Sequence, residues 1–122
     1  MILVDTSVWI NHFHKSNPAL VEALDRGEVL IHPFVIGELA CGQLAKRREV
    51  LDLLSMLPAS AMATDEETLH FIERHKLMGK GLGYIDIHLL ASAILTEAAS
   101  LWNTDNQLSA IASELRVAFK PA

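Results

Sequence analysis

Short apolar runs alternate with segments of helical periodicity along the whole chain. The apolar runs are Ile2 to Val4, "EVLIH", "ASLWN" and "RVAF", with a weaker candidate in "SAMA" around Ala61. Between them, apolar residues recur at spacings of three and four, which is typical of helices that pack on a sheet. This alternation predicts an α/β fold with a central parallel sheet.

Local signals predict where several helices begin and end. Asn17 is a typical N-cap, Pro18 suits the first helical position, and Gly27 follows the end of the same segment. Thr64 and Glu67 have the spacing of a capping box, in which each side chain bonds the other residue's backbone N–H. These signals predict helices that start after residues 17 and 64.

Two further helices are predicted between the second and third apolar runs. One begins at Pro33, and the other extends from about 46 to 57, with Gly42 separating or bending the two. The segment that begins at Tyr84, "YIDIHLLASAIL", has apolar residues on nearly every side, so we expect a helix buried on most of its surface.

Composition narrows the class of protein. The 122 residues are 51% hydrophobic and 20% charged, which predicts one folded domain that spans 1–122. The single cysteine, Cys41, excludes an internal disulfide and is expected to be a free, buried thiol. No export signal and no apolar stretch long enough to span a bilayer is visible, so we expect a cytoplasmic protein without a membrane segment.

The net charge of −5 argues at first against a nucleic-acid partner, because phosphate binding normally requires a basic surface. Four acids gathered at one metal site would account for most of this excess, and bound cations would reverse the local field. The net charge therefore excludes little.

Two carboxylates follow predicted strands. Asp5 ends the first apolar run and Asp105 ends "SLWNTD", at the edge where parallel sheets place their ligand sites. Each also precedes a helix, and helix capping is the commoner role for an aspartate at such a position. Asn103 could equally form the turn before Asp105.

Two other carboxylates lie in apolar surroundings. Glu38 stands among Val35, Ile36 and Leu39, and Asp86 is near the start of the most apolar helix. A buried carboxylate without a partner is costly, although Glu38 could face solvent and Asp86 could interact with the helix dipole. If all four carboxylates share one edge of the sheet, their repulsion favours a divalent cation, and oxygen-only ligands select Mg²⁺ or Mn²⁺.

In the four acids and the stretches around them, the chain resembles the PIN domain family and, within it, the VapC-type toxins of toxin–antitoxin pairs. The matching stretches are "ILVDTSVWI", "VIGELACG", "GLGYIDIHLLASA" and "LWNTDNQL", which cover the chain in the family's order. The resemblance implies a three-layer α/β/α fold and an Mg²⁺- or Mn²⁺-dependent endoribonuclease that inhibits growth.

The same resemblance assigns roles to residues. It implies a catalytic acidic quartet, which consists of Asp5, Glu38, Asp86 and Asp105. Within the quartet, the three aspartates would be the metal ligands, and the glutamate would position metal-bound water. Thr6 or Ser7 would steady Asp5 by a hydrogen bond, and Asn103 would have a supporting role.

The resemblance also implies partners: an RNA substrate, a VapB-type antitoxin that covers the active site, and a second copy of the chain in a homodimer. Lys80 and Arg47 are candidate RNA contacts, although a solvated helix face is the commoner meaning of such charges.

Two alternative functions remain. One is a PIN-like protein that has lost catalysis and only binds a partner. The other is a receiver-like signalling domain, but this sequence lacks the acidic pair and the late lysine that such a domain requires.

Overall fold

Three parallel strands form the sheet of this computed structural model, which describes residues 1–121. They are β1 (Ile2–Val4), β2 (Val29–Leu30) and β3 (Ser100–Trp102), in the order β2-β1-β3. In the register, Leu3 stands beside Leu30 on one side and beside Leu101 on the other. β1 is therefore the central strand, and the carboxyl ends of all three strands meet at one edge.

Seven helices complete the fold in the described residues. They are α1 (Thr6–His14), α2 (Pro18–Asp25), α3 (Pro33–Cys41), α4 (Arg47–Ser55), α5 (Asp65–His75), α6 (Tyr84–Leu95) and α7 (Asn106–Glu114). α3 packs against both α1 and α4, and α5 packs against α6.

The sheet is buried on both faces. Successive side chains of a strand point to opposite faces, and every residue of β1 is buried, with Leu3 and Val4 fully inaccessible. Parallel sheets reach this state only when helices cover both sides. The predicted α/β fold with a central parallel sheet is confirmed.

Two of the predicted strands are reduced to single bridges. The segment around Ala61 pairs with the sheet only through Ala59, which bridges Ile31. Beyond that bridge, the amides of Ala61 and Ala63 bond to side-chain hydroxyls instead of a strand: Thr96 Oγ1, of the residue that caps the end of α6, at 2.9 Å, and Ser92 Oγ, within α6, at 3.1 Å.

The closing "RVAF" run is shortened in a similar way. Only Ala118 forms a parallel bridge, to Leu101 of β3. Arg116 has a φ of 62°, in the left-handed region, so the run cannot be extended from its first residue. Among the described residues the sheet therefore has three regular strands, whereas the sequence pattern predicted five.

The predicted helix ends agree with the structure. Asn17 Oδ1 accepts hydrogen bonds from Ala19 N at 3.0 Å and Leu20 N at 3.2 Å, and Pro18 is the first residue of α2. The capping box is also present, with both Thr64–Glu67 bonds formed. Gly42 ends α3, as expected.

α6 is buried on most of its surface as predicted, since residues 87–93 are all buried. The expectation for Cys41 is wrong, because this thiol is free but exposed. It is the last residue of α3, and the chain turns away there at Gly42. Within residues 1–121, every helix is too short or too polar to cross a membrane.

Candidate active site

Asp5 lies directly beyond the central strand. Its backbone N–H donates to the carbonyl of Trp102 at 2.9 Å, which fixes it beside the end of β3. The residue is the N-cap of α1, and its Oδ2 accepts from Ser7 Oγ at 2.6 Å and from Ser7 N at 3.4 Å. Asp5 is buried, yet only one of its two carboxylate oxygens is used for capping. Capping and ligand binding are therefore compatible at this residue.

Asp105 has the same arrangement after β3. Its Oδ1 accepts from Gln107 N at 2.8 Å and Leu108 N at 3.0 Å, so it is the N-cap of α7. Asn103 Oδ1 accepts from Asp105 N at 2.9 Å and from Ser109 Oγ at 3.0 Å. Asn103 thus shapes the loop that presents the exposed Asp105 carboxylate.

α3 brings Glu38 to the site from the other outer strand. The helix begins just after β2, where His32 is the N-cap and its Nδ1 accepts from Phe34 N at 3.0 Å. Glu38 is exposed, and its Oε1 accepts a hydrogen bond from Thr6 Oγ1 at 2.6 Å. Of the two hydroxyls predicted to steady Asp5, Ser7 makes that contact, and Thr6 contacts Glu38 instead.

Asp86 is the third residue of α6, whose N-cap Gly83 has no side chain to offer. The Asp86 carboxylate reaches back over Gly83, since a Cβ placed at Gly83 would lie 3.5 Å from Asp86 Oδ2. A glycine leaves this space open, and a carboxylate at the third position of a helix commonly bonds the N-cap N–H.

The other three carboxylates of the quartet lie close enough to Asp86 to act on it electrostatically. Partial burial raises the pKa of Asp86 above its ordinary value, and the negative charge of Asp5 adds to this increase. Asp105 and Glu38 raise the pKa of Asp86 further, although the hydrogen bond from the Gly83 backbone opposes them. The fold thus gathers four acids from four different elements at one edge.

The donor set fits a hard, hydrated cation. All four side chains offer oxygen, the ligand atom that Mg²⁺ and Mn²⁺ prefer. Among residues 1–121, no three His, Cys, Asp or Glu side chains meet closely enough to enclose an ion by themselves. Mg²⁺ retains several waters and is usually bound through one or two carboxylates, so it does not require such a cage.

The two candidate RNA contacts differ in their surroundings. Lys80 is exposed in the loop 79–83, where Gly81 has a φ of 77° and lies close to the end of the Gln107 side chain. The loop therefore lies beside the first turn of α7, next to Asp105. Arg47 instead donates from Nη2 to the Ala40 carbonyl at 3.0 Å, which ties α4 to the end of α3.

Gln107 was not identified from the sequence, since no local pattern marks its proximity to the loop 79–83.

An apolar cavity of about 510 Å³ opens beside Glu38. α1 contributes Ile10 and Phe13 to its wall, and Leu44 and Val50 close the opposite side. The acidic edge therefore continues into a groove with apolar walls.

Comparisons with known proteins agree with the fold. The model of the PIN domain family matches residues 2–114. The chain is 46% identical over 118 residues to the protein named Ribonuclease VapC32 in two strains of Mycobacterium tuberculosis. That match covers 97% of this chain and 95% of the mycobacterial protein.

Proposed function

The chain belongs to the PIN domain family, and on this premise we propose that it is a metal-dependent endoribonuclease that acts as the toxin of a toxin–antitoxin pair. The observation that carries this proposal is the convergence of four carboxylates at one sheet edge, where partial burial, and then the charges of Asp5, Asp105 and Glu38, raise the pKa of Asp86. Such a cluster is unfavourable without a cation, so its presence at the sheet edge favours a site built for one.

The three aspartates would hold Mg²⁺ or Mn²⁺ directly or through bridging waters. When bound, the ion would polarise a phosphodiester, stabilise the charge on the leaving oxygen and make water a better nucleophile. The donor set supports this assignment, because each capping aspartate engages only one oxygen in its cap.

The remaining polar residues would orient the reacting groups. Ser7 holds one oxygen of Asp5, so the other oxygen would be available to the cation. Thr6 holds Oε1 of Glu38, so the free Oε2 would orient the attacking water and accept its proton. Asn103 fixes the loop of Asp105 through its backbone amide.

The toxin assignment rests on the relatives named Ribonuclease VapC32. By this likeness the partner would be a VapB-type antitoxin, and the growth inhibition would follow from RNA cleavage in the cytoplasm. The apolar cavity beside Glu38 supports inhibition by occlusion, since an antitoxin segment seated there would lie against this member of the quartet. A homodimer is expected from the same likeness.

RNA cleavage by purified protein tests the proposal. We expect the wild-type chain to cut RNA with Mg²⁺ or Mn²⁺ and to lose this activity with a chelator. Asp5→Asn and Asp86→Asn should reduce the rate by at least about 100-fold, because each removes one carboxylate from the metal site. Glu66→Gln, which removes an exposed acid on α5, should cleave like wild type.

Equal cleavage by all of these proteins would indicate a contaminating nuclease and refute the assignment. A folded wild-type chain that binds a partner but never cleaves RNA would favour the alternative of a catalytically silent PIN-like protein. Growth arrest on expression that survives Asp86→Asn would mean that the toxicity has another cause.

A further inference from the structure

Two hydrogen bonds tie the first turn of α6 to the first residue of α5. Asp65 Oδ1 accepts from the Tyr84 hydroxyl at 3.0 Å and from His88 Nε2 at 2.9 Å. Thr68 Oγ1, one turn further along α5, lies 3.3 Å from the other ring nitrogen of His88. We call Asp65, Thr68, Tyr84 and His88 the α5–α6 clamp.

The clamp holds the side of α6 that faces away from Asp86. Tyr84 and His88 are four residues apart and share one face, whereas Asp86 lies roughly 200° around the helix from Tyr84. The N-cap, Gly83, contributes no side-chain hydrogen bond to this helix end. The clamp therefore anchors the first turn without using the carboxylate that belongs to the acidic quartet.

Asp65 is well placed to act as the anchor, because its own helix end is capped. The capping box of Thr64 and Glu67 surrounds it, and both bonds of that box are formed. The Asp65 side chain is 79% exposed and could turn to solvent, yet it points at the His88 ring, which is 2% exposed. The hydrogen bond from His88, and then that from Tyr84, hold the pKa of Asp65 below its ordinary value.

We propose that Asp65 is a positioning residue for the metal site: through Tyr84 and His88 it fixes the first turn of α6 and, with it, the Asp86 carboxylate. The inference rests on the proposed function, since it takes Asp86 to bind the cation. The other three carboxylates repel Asp86, so the turn that carries it must be held against that repulsion. Without the clamp, the ion would have to order this turn when it binds, and the free-energy cost of that ordering would weaken ion binding.

The first test is the Mn²⁺ affinity of the full chain, measured by calorimetry without RNA. Asp65→Ala removes the acceptor, whereas Asp65→Asn keeps an Oδ1 that can accept both bonds. Glu66→Ala is the matched control, because it also removes one acid from the first turn of α5. We expect about tenfold weaker Mn²⁺ binding for Asp65→Ala, the usual cost of losing a residue that supports a metal ligand.

Asp65→Asn and Glu66→Ala should bind Mn²⁺ within about twofold of wild type, because neither leaves the two donors without an acceptor. Wild-type affinity in a folded Asp65→Ala protein would overturn the inference, and so would an equal loss in Glu66→Ala. If Asp65→Ala fails to fold, Tyr84→Phe replaces it, since that change removes one donor from a partly exposed ring. Unchanged Mn²⁺ affinity in Tyr84→Phe would then count against the clamp.

Hydrogen–deuterium exchange of the metal-free protein gives a readout that does not depend on the ion. We expect the amides of residues 84–88 to exchange faster in Asp65→Ala, with those of α7 unchanged. Unaltered exchange at 84–88 would show that Asp65 does not hold the turn. Failure of the wild-type chain to bind Mn²⁺ would refute the proposed function instead, and the exchange result would still decide whether the clamp exists.

Discussion

Thr6 Oγ1 donates a 2.6 Å hydrogen bond to Glu38 Oε1 and so joins the first residue of α1 to the exposed carboxylate of α3. Thr6 itself is almost fully buried next to the central strand. The contact therefore transfers the rigidity of the sheet edge to a long side chain that would otherwise be mobile in solvent. Its neighbour Ser7 likewise holds the Asp5 carboxylate through a hydrogen bond from its hydroxyl.

Thr6→Val keeps the shape of this side chain and removes its hydroxyl. We expect kcat for RNA cleavage to fall about tenfold with little change in KM, because Glu38 loses its fixed orientation but no substrate contact is removed. Steady-state kinetics on a short RNA check this. Thr6→Ser retains the donor and should recover most of the rate. A loss of the same size in Thr6→Ser would point to packing, not to the hydrogen bond.

Asp86→Asn should stabilise the metal-free protein while abolishing its response to metal. Folding raises the pKa of Asp86, so the ionised carboxylate destabilises the fold at neutral pH, and stability increases as the pH falls through that pKa. Removing the charge should raise Tm by roughly 2–5 °C in the presence of a chelator. Thermal unfolding with and without Mn²⁺ tests both parts. A lower Tm of the variant in chelator would contradict the repulsion.

Asn103→Ala should impair catalysis more than stability. The change removes the acceptor for Asp105 N and Ser109 Oγ, which frees the loop before α7. We expect about tenfold lower kcat, the usual effect of releasing a ligand's support. Ser109→Ala, which removes one of the two bonds and leaves Asp105 N paired, is the control. Equal rates for Asn103→Ala and wild type would mean that the Asp105 cap suffices.

Substitutions of Lys80 and of Arg47 should have different effects on RNA binding. Lys80→Ala should weaken RNA binding and reduce the salt dependence of the affinity by about 0.7 in log–log slope, if Lys80 contacts one phosphate. Arg47 already bonds the Ala40 carbonyl, so Arg47→Ala should lower stability and leave the salt slope nearer to wild type. RNA-binding titrations over a range of salt concentrations would measure both slopes, with each substitution made in the Asp86→Asn background so that the RNA is not cleaved. Equal slopes in all variants would exclude both residues as phosphate contacts.

His32 should make the stability depend on pH. Burial, with a further contribution from His88, lowers the pKa of His32 from 6.5 to about 4. The unfolded chain therefore takes up the proton first, so this contribution is complete above pH 6.5 and is lost as the pH falls towards 4. The loss amounts to at most roughly 3 kcal/mol.

Urea unfolding at several pH values tests this dependence on His32. His32→Asn provides a capping oxygen for Phe34 N without titrating, and its stability should change less with pH across the same window. Identical pH profiles for the variant and wild type would assign the acid sensitivity to other groups.

Much of the local structure could be predicted from the sequence. Asn17 with Pro18, and Thr64 with Glu67, identify helix ends because capping depends only on residues within one turn. The apolar pattern located β1 and the buried α6 as well, since an element buried on both faces is apolar at nearly every position. Cys41 was wrongly predicted to be buried, because an apolar neighbourhood in sequence does not fix which side of a helix end faces solvent.

The pairing of side chains required the tertiary structure. Thr6 and Ser7 are adjacent hydroxyl residues, and nothing in the sequence tells which one meets Asp5 and which one meets Glu38, 32 residues further along. Thr96 and Ser92 could not be expected to take the amides of residues 61 and 63, so the strand predicted there is only a bridge.

By itself, the sequence determined the alternation of strands and helices along the chain and the caps at Asn17 and Thr64, because these follow from apolar patterning and from contacts within a turn. Only the tertiary structure decided that α5 holds the first turn of α6 through Asp65, and which carboxylate oxygens are engaged in caps. The reason is physical: a hydrogen bond between residues 19 or 23 positions apart depends on how two helices pack, and packing is a property of the whole fold.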